Sequence, residues 1–160
     1  MRSTGEVMGW DRSFARAFLK AQMGAGMVLP ASGRAFISIR DTDKTEVMLD
    51  TARILLGQGF ELVATRGTQG WLAGHGVACS VVNKVYEGRP HVVDLLKDGG
   101  IQLVLNTTEG AQAVEDSKPM REVALYDKIP YFTTAAGAHA AARAIQAQAE
   151  GEVEVKSLQG

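Results

Sequence analysis

Thr65, Arg66, Gly67 and Thr68 stand together in the stretch ATRGTQG, residues 64–70, directly after Glu61-Leu62-Val63. Two glycines, two threonine hydroxyls and an arginine share those seven positions. A strand that ends in such a turn and then enters a helix points backbone N–H groups at one spot, which suits a phosphate. Similar chemistry follows three other apolar runs: Asn83 and Lys84, then Asn106, Thr107 and Thr108, then Thr133 and Thr134. Hydroxyls and N–H groups share the charge of a phosphate, a lysine neutralises it, and Asn pairs with a base edge or a ribose hydroxyl. Lys44, ahead of a helical segment, adds a further ammonium. The ligand implied is a phosphorylated small molecule, with a nucleotide among the candidates.

Each group also has a plainer explanation. The glycines of ATRGTQG permit a tight turn with Thr68 as a helix N-cap, lysines are mostly solvated surface charges, and Asn106 to Thr108 suit a turn that bonds its own backbone. What favours a site is convergence, because in an open parallel sheet all these loops gather outside the carboxyl ends of the strands. His75, His91 and His139 lack metal-ligand spacing and are expected as unlinked surface or rim residues. Cys79, the single cysteine, excludes an internal disulfide framework and a thiolate metal cluster, and is expected as a reduced, partly buried thiol.

The elements that must position these residues are legible as alternating periods. RAFISIR, ELVAT, CSVVN, IQLVLNT and the short PYFTT read as strands, the longer runs being near-continuously apolar as in a sheet buried on both faces. Between the first two, DKTEVMLDTARILLGQG puts Met48, Ala52, Leu55 and Leu56 on one helical face. Further helices are expected after Thr68, over 89–98, over 116–127 and along the alanine-rich AHAAARAIQAQAE. The fold class is α/β, a five-stranded parallel sheet with helices on both faces, in three layers. Ahead of it, Asp11 can cap a helix over 12–23 carrying Phe14 and Phe18, and GAGMVLPASG reads as a linker. The compact domain is therefore expected over 33–160, with 1–32 as a preceding helix and linker.

With 160 residues, 46% of them hydrophobic, the chain can bury one good core. Seventeen basic against eighteen acidic side chains give a net charge of −1, which provides no field for a nucleic-acid backbone. No apolar segment approaches the roughly 20 residues that span a bilayer, and MRSTGEVMGWDR has no signal-peptide core, so a cytoplasmic protein is expected.

MRSTGEVMG with the following Phe-bearing helix, then FELVATRGT, VVNKVYEGRPHVVD, LVLNTTEG and AVEDSK, resembles the C-terminal end of the carbamoyl phosphate synthetase large subunit. The resemblance runs to about Ala149. It implies a piece of a longer protein: STGEVMG would close the second ATP-using synthetase unit, and the rest would be a regulatory domain with the fold of methylglyoxal synthase, sheet order 3-2-1-4-5. In that family the crevice binds allosteric nucleotides, UMP as inhibitor and IMP as activator in many bacterial enzymes. Carried over by motif, Lys44, Thr65, Gly67 and Thr68 surround the phosphate, and Lys84, Asn106, Thr107, Thr108 and Asp116 approach the ribose and base.

No catalytic residue and no cofactor is implied for this segment. The whole enzyme, with ATP and Mg or Mn, makes carbamoyl phosphate from glutamine, bicarbonate and two ATP for pyrimidine and arginine synthesis. Its implied partners are the rest of the large subunit and a glutaminase small subunit, and homo-oligomerisation stays open. The alternative on the same fold is a methylglyoxal synthase acting on dihydroxyacetone phosphate, which needs an aspartate base in a Gly-Gly-Asp step after the third strand. This chain has Glu87-Gly88-Arg89-Pro90 there, and an arginine cannot abstract a proton, although Glu87 is close by.

Overall fold

The computed structural model describes residues 28–82, 91–107, 115 and 117–159. The first strand, β1 (Gly33–Ser38), sends side chains alternately to two sides: Ala35 and Ile37 enter one buried cluster, Phe36 the other. β2 (Phe60–Ala64) and β4 (Leu103–Asn106) divide in the same way, Leu62 and Leu105 against Val63 and Val104. Alternation with both sides apolar is the mark of a sheet covered on both faces, and it explains why these runs read as continuously hydrophobic. With β3 (Ser80–Val81) and β5 (Tyr131–Phe132) the strands form one sheet in the order β3-β2-β1-β4-β5, and every pairing is parallel.

Helices cover both faces. On one side α1 (Glu46–Gly57) contributes Met48, Leu49, Ala52 and Leu55, α2 (Arg66–Gly74) contributes Leu72, and α5 (Ala135–Gln159) contributes Ala138, Ala141 and Ile145. On the other, α3 (Val92–Lys97) supplies Val92, Val93 and Leu96, and α4 (Lys118–Tyr126) supplies Met120 and Ala124. The result is the expected three-layer α/β fold with sheet order 3-2-1-4-5. Among the described residues no helix is long and apolar enough to cross a membrane.

Several boundaries differ from the sequence reading, each for a local reason. RAFISIR stops being a strand at Ser38 because the next two N–H groups leave the ladder: Ile39 donates to Thr68 Oγ1 at 2.9 Å and Arg40 to Thr107 Oγ1 at 3.0 Å. A 3-10 turn over Asp41–Asp43, unforeseen, then lies ahead of α1. Among the described residues of CSVVN, Ser80–Val81 are strand, at the sheet's edge, where one neighbour is available rather than two. α2 starts at Arg66 rather than after Thr68, so Thr65 occupies the N-cap position and Thr68 lies in the first turn. The 12–23 helix with Phe14 and Phe18 lies outside the described residues.

Candidate functional site

Register places the polar residues in a row along one edge of the sheet. Ser38 pairs with Asn106 across β1 and β4, and continuing the β1–β2 register by one step brings Thr65 beside Ser38. Thr65 Oγ1 lies 3.4 Å from Ser38 Oγ and 3.3 Å from Thr68 Oγ1. Three hydroxyls thus line the carboxyl ends of two adjacent strands. Thr65 and Thr68 are both buried, so their hydroxyls were placed by the fold rather than left in water. Thr68 Oγ1 accepts from the Ile39 N–H, which occupies a lone pair and leaves its own proton available for donation.

The start of α2 supplies further donors. Helix geometry leaves the N–H groups of Gly67 and Thr68 without an intrahelical acceptor, and the N-cap residue Thr65 does not cap this end with its side chain, its hydroxyl being turned to Ser38 and Thr68 instead. Lys44 closes the arrangement from the other side. Among the described residues, a Cβ placed on Gly67 would meet one group within 4 Å, the Lys44 ammonium, at 3.9 Å. An ammonium therefore stands beside an uncapped helix N-terminus, where the helix dipole favours an anion.

Lys44 meanwhile is held by Asp41, whose carboxylate lies 2.8 Å from Nζ, and this hydrogen bond and charge keep the Asp41 carboxyl below its usual range. Asp41 is almost fully exposed and Lys44 much less so. An incoming anion competes with an exposed carboxylate, so Asp41→Asn should raise the affinity for inorganic phosphate, by no more than about fivefold given the weakness of surface ion pairs. Titration calorimetry at low and high salt checks this; an unchanged or lower affinity at low salt would mean that Asp41 does not oppose anion binding.

Gly67 gives a sharper test. Its φ is not in the left-handed region and a methyl group there would touch the lysine only at ordinary van der Waals distance, so the fold itself does not demand glycine. Within a helix, alanine is favoured over glycine by about 0.5–1 kcal/mol. Gly67→Ala is therefore expected to leave the melting temperature level or higher while weakening phosphate binding, because the methyl group occupies the space over the helix end. A variant that binds phosphate as well as the parent would show that the anion does not approach there.

The other expected site residues divide into two sets. Thr107 is buried; its hydroxyl accepts from the Arg40 N–H and its own N–H donates to the Ser38 carbonyl at 2.9 Å, which pins the loop after β1 to the end of β4. Asn106 is engaged with Ser117 and Tyr131. Lys84, Thr108 and Asp116 lie outside the described residues, as do Asn83, Glu87 and Arg89. Ser38 is a site residue that the sequence reading passed over, since it sits within the apolar run RAFISIR and only its register with Asn106 singles it out.

Two of the three histidines, His91 and His139, depart from the expectation of unlinked surface or rim residues, while His75 is exposed. His91 is buried, its backbone N–H donating to the Asp94 carboxylate at 3.2 Å, with Nδ1 3.7 Å from the same group. It fills the first position before α3 rather than facing solvent. His139 Nε2 lies 2.8 Å from Asp50 Oδ2, which ties α5 to α1, and His75 packs edge-on against Trp71. Cys79 is a free, half-buried thiol whose pKa burial pushes up to about 11, which leaves little thiolate for nucleophilic chemistry near neutral pH.

Residues 47–133 match the MGS-like domain family. The chain is 52% identical over 99% of its length to the carbamoyl phosphate synthase large chain of Mesorhizobium japonicum, and 53% identical over 99% to that of Brucella suis. It is 55% identical over 91% of its length to the large chain of Halomonas eurihalina. In each case it spans 14% of the relative's length, in the C-terminal part. On its sheet order, and on the match that runs from α1 to beyond β5, the chain belongs to the MGS-like domain family.

Proposed function

We propose that this chain is the effector-binding regulatory domain of a carbamoyl phosphate synthase large chain, and that its crevice takes the phosphate of a nucleoside monophosphate, UMP as inhibitor or IMP as activator. The observation that carries the reading is the Lys44 ammonium standing beside the uncapped start of α2, with the Thr68 hydroxyl in the same turn. A full charge, backbone N–H donors and a hydroxyl proton converge there, and a dianionic phosphate uses all three. The match to the C-terminal part of carbamoyl phosphate synthase large chains supports a regulatory domain of that enzyme. In this reading the synthesis of carbamoyl phosphate from glutamine, bicarbonate and two ATP, with Mg or Mn, belongs to the rest of the large chain and a glutaminase partner. The segment over 1–32 is the end of the preceding synthetase unit.

Mechanistically, the effector acts by preferring one of two states of the larger enzyme, since a ligand shifts an equilibrium only through its differential affinity for the states. Titrating the chain with UMP, IMP, inorganic phosphate and dihydroxyacetone phosphate, while assaying methylglyoxal release, tests the assignment. Binding of UMP or IMP without turnover is expected. Production of methylglyoxal and phosphate from dihydroxyacetone phosphate at an enzymatic rate would overturn it in favour of a lyase.

A further inference from the structure

Two threonines from different strand ends hold one short segment of chain. On leaving β1, two successive N–H groups are taken by side chains: Ile39 donates to Thr68 Oγ1 at 2.9 Å and Arg40 to Thr107 Oγ1 at 3.0 Å. The direction of both bonds is fixed, because a backbone N–H can only donate and each hydroxyl oxygen must accept. Since β1 lies between β2 and β4, the two threonines reach the segment from opposite sides. Thr107 also donates its own N–H to the Ser38 carbonyl at 2.9 Å, so the end of β4 grips the chain before and after Ile39. Beyond these anchors the segment is tied to itself. The Asp43 N–H donates to the Arg40 carbonyl at 2.9 Å, the Asp43 carboxylate lies 2.7 Å from Arg40 Nε, and the Lys44 N–H donates to the Asp41 carbonyl at 3.2 Å. The segment ends in Lys44, whose ammonium stands beside Gly67.

We propose that Thr107 is a positioning residue for Lys44: it holds the 39–44 segment so that the ammonium stays against the start of α2, and it acts on an anion through that lysine rather than by touching the ligand. The inference rests on the anion reading of Lys44 and α2 given above. It moves Thr107 from the nucleoside half of the site, where the resemblance put it, to the phosphate half. With Thr68 alone, the segment would hang from a single side-chain bond at Ile39 and could swing about it. A second anchor at the next residue, from the opposite side, fixes its direction. The internal bonds among Arg40, Asp41, Asp43 and Lys44 then carry that direction to the lysine backbone. An ammonium on a held backbone loses less freedom when an anion binds than one on a mobile loop, so the anchor raises affinity without adding a contact.

NMR titration of the chain with inorganic phosphate, followed at the Gly67 and Thr68 amides, tests this in the parent, Thr107→Val, Lys44→Ala and the double variant. Thr107→Val keeps the shape of the side chain but offers no oxygen to the Arg40 N–H. It should lower phosphate affinity about two- to tenfold, the size of one neutral hydrogen bond, and Thr107→Ser should restore it. In the Lys44→Ala background Thr107→Val should have no further effect, because Thr107 acts through that lysine. An unchanged phosphate affinity in a folded Thr107→Val protein would overturn the proposal. So would an equal loss in the Lys44→Ala background, which would mean that Thr107 meets the ligand itself. If Thr107→Val does not fold, hydrogen exchange in the parent reads the same coupling. Linkage is reciprocal, so saturating phosphate should slow exchange of the Arg40 amide at least about twofold more than that of Gln58 at the far end of α1. Equal slowing at both amides, or none at Arg40, would again overturn it. A parent chain whose Gly67 and Thr68 amides do not respond to phosphate would instead overturn the anion reading itself.

Discussion

With the proposed effector site, Lys44→Ala should lower the affinity of the chain for UMP or IMP by about ten- to a hundredfold while leaving its melting temperature almost unchanged. The binding loss follows from removing one charge-assisted hydrogen bond, about 1.5–3 kcal/mol. The stability is preserved because the partner of Lys44 within the fold is Asp41, an exposed carboxylate that water solvates readily. Thr68→Ala behaves differently. It removes the hydroxyl proposed to donate to the phosphate, but it also removes the acceptor of the Ile39 N–H, a buried group that then has no partner. An unsatisfied buried donor costs about 1–3 kcal/mol, so Thr68→Ala should lose both affinity and stability. Thr68→Ser keeps the oxygen and should retain most of each. Calorimetric titration beside thermal denaturation separates the two effects. A Lys44→Ala protein that binds as tightly as the parent would remove the ammonium from the site.

Phe36→Ala should cost about 3–5 kcal/mol of unfolding free energy, read from urea denaturation. Phe36 is 1% exposed in the middle of β1, the central strand, and is among the largest fully buried side chains. It faces the cluster made with Val63, Val104, Val92, Leu96 and Met120, beneath α3 and α4. Its removal leaves a cavity walled by a sheet that is fixed on its far side by a second cluster, which prevents the strand from moving in to fill it. A loss under about 1 kcal/mol would mean that α3 and α4 collapse onto the gap and that this layer is loosely packed.

Much of the architecture was legible because it is written in period two and period 3.6. Ala35, Phe36 and Ile37 are all apolar since both faces of β1 are covered, and Met48, Ala52 and Leu55 recur at helical spacing since one face of α1 is. The ATRGT turn was legible for a local reason too: small and hydroxyl residues cluster where a strand passes into a helix. Less visible was anything decided by partners remote in sequence. Nothing near Thr68 announces that its oxygen will serve Ile39, 29 residues earlier. Nor does anything near Asn106 show that its amide will be taken up by Ser117 and Tyr131. His91 looked like a rim residue because its burial depends on how the chain packs around α3, which no spacing rule encodes.

The sheet is also a partition. Leu72 of α2 packs in one cluster and Met120 of α4 in the other, with the strands as the wall between them. The row at the carboxyl edge is where the wall ends, and it is flanked by Thr65 and Thr68 at the mouth of α2 and by Ser117 at the mouth of α4. A molecule lying along that row would span both compartments at once. Helices on opposite faces, whose buried clusters are separate, would then share a common fastening, and loosening of either one would be resisted by both.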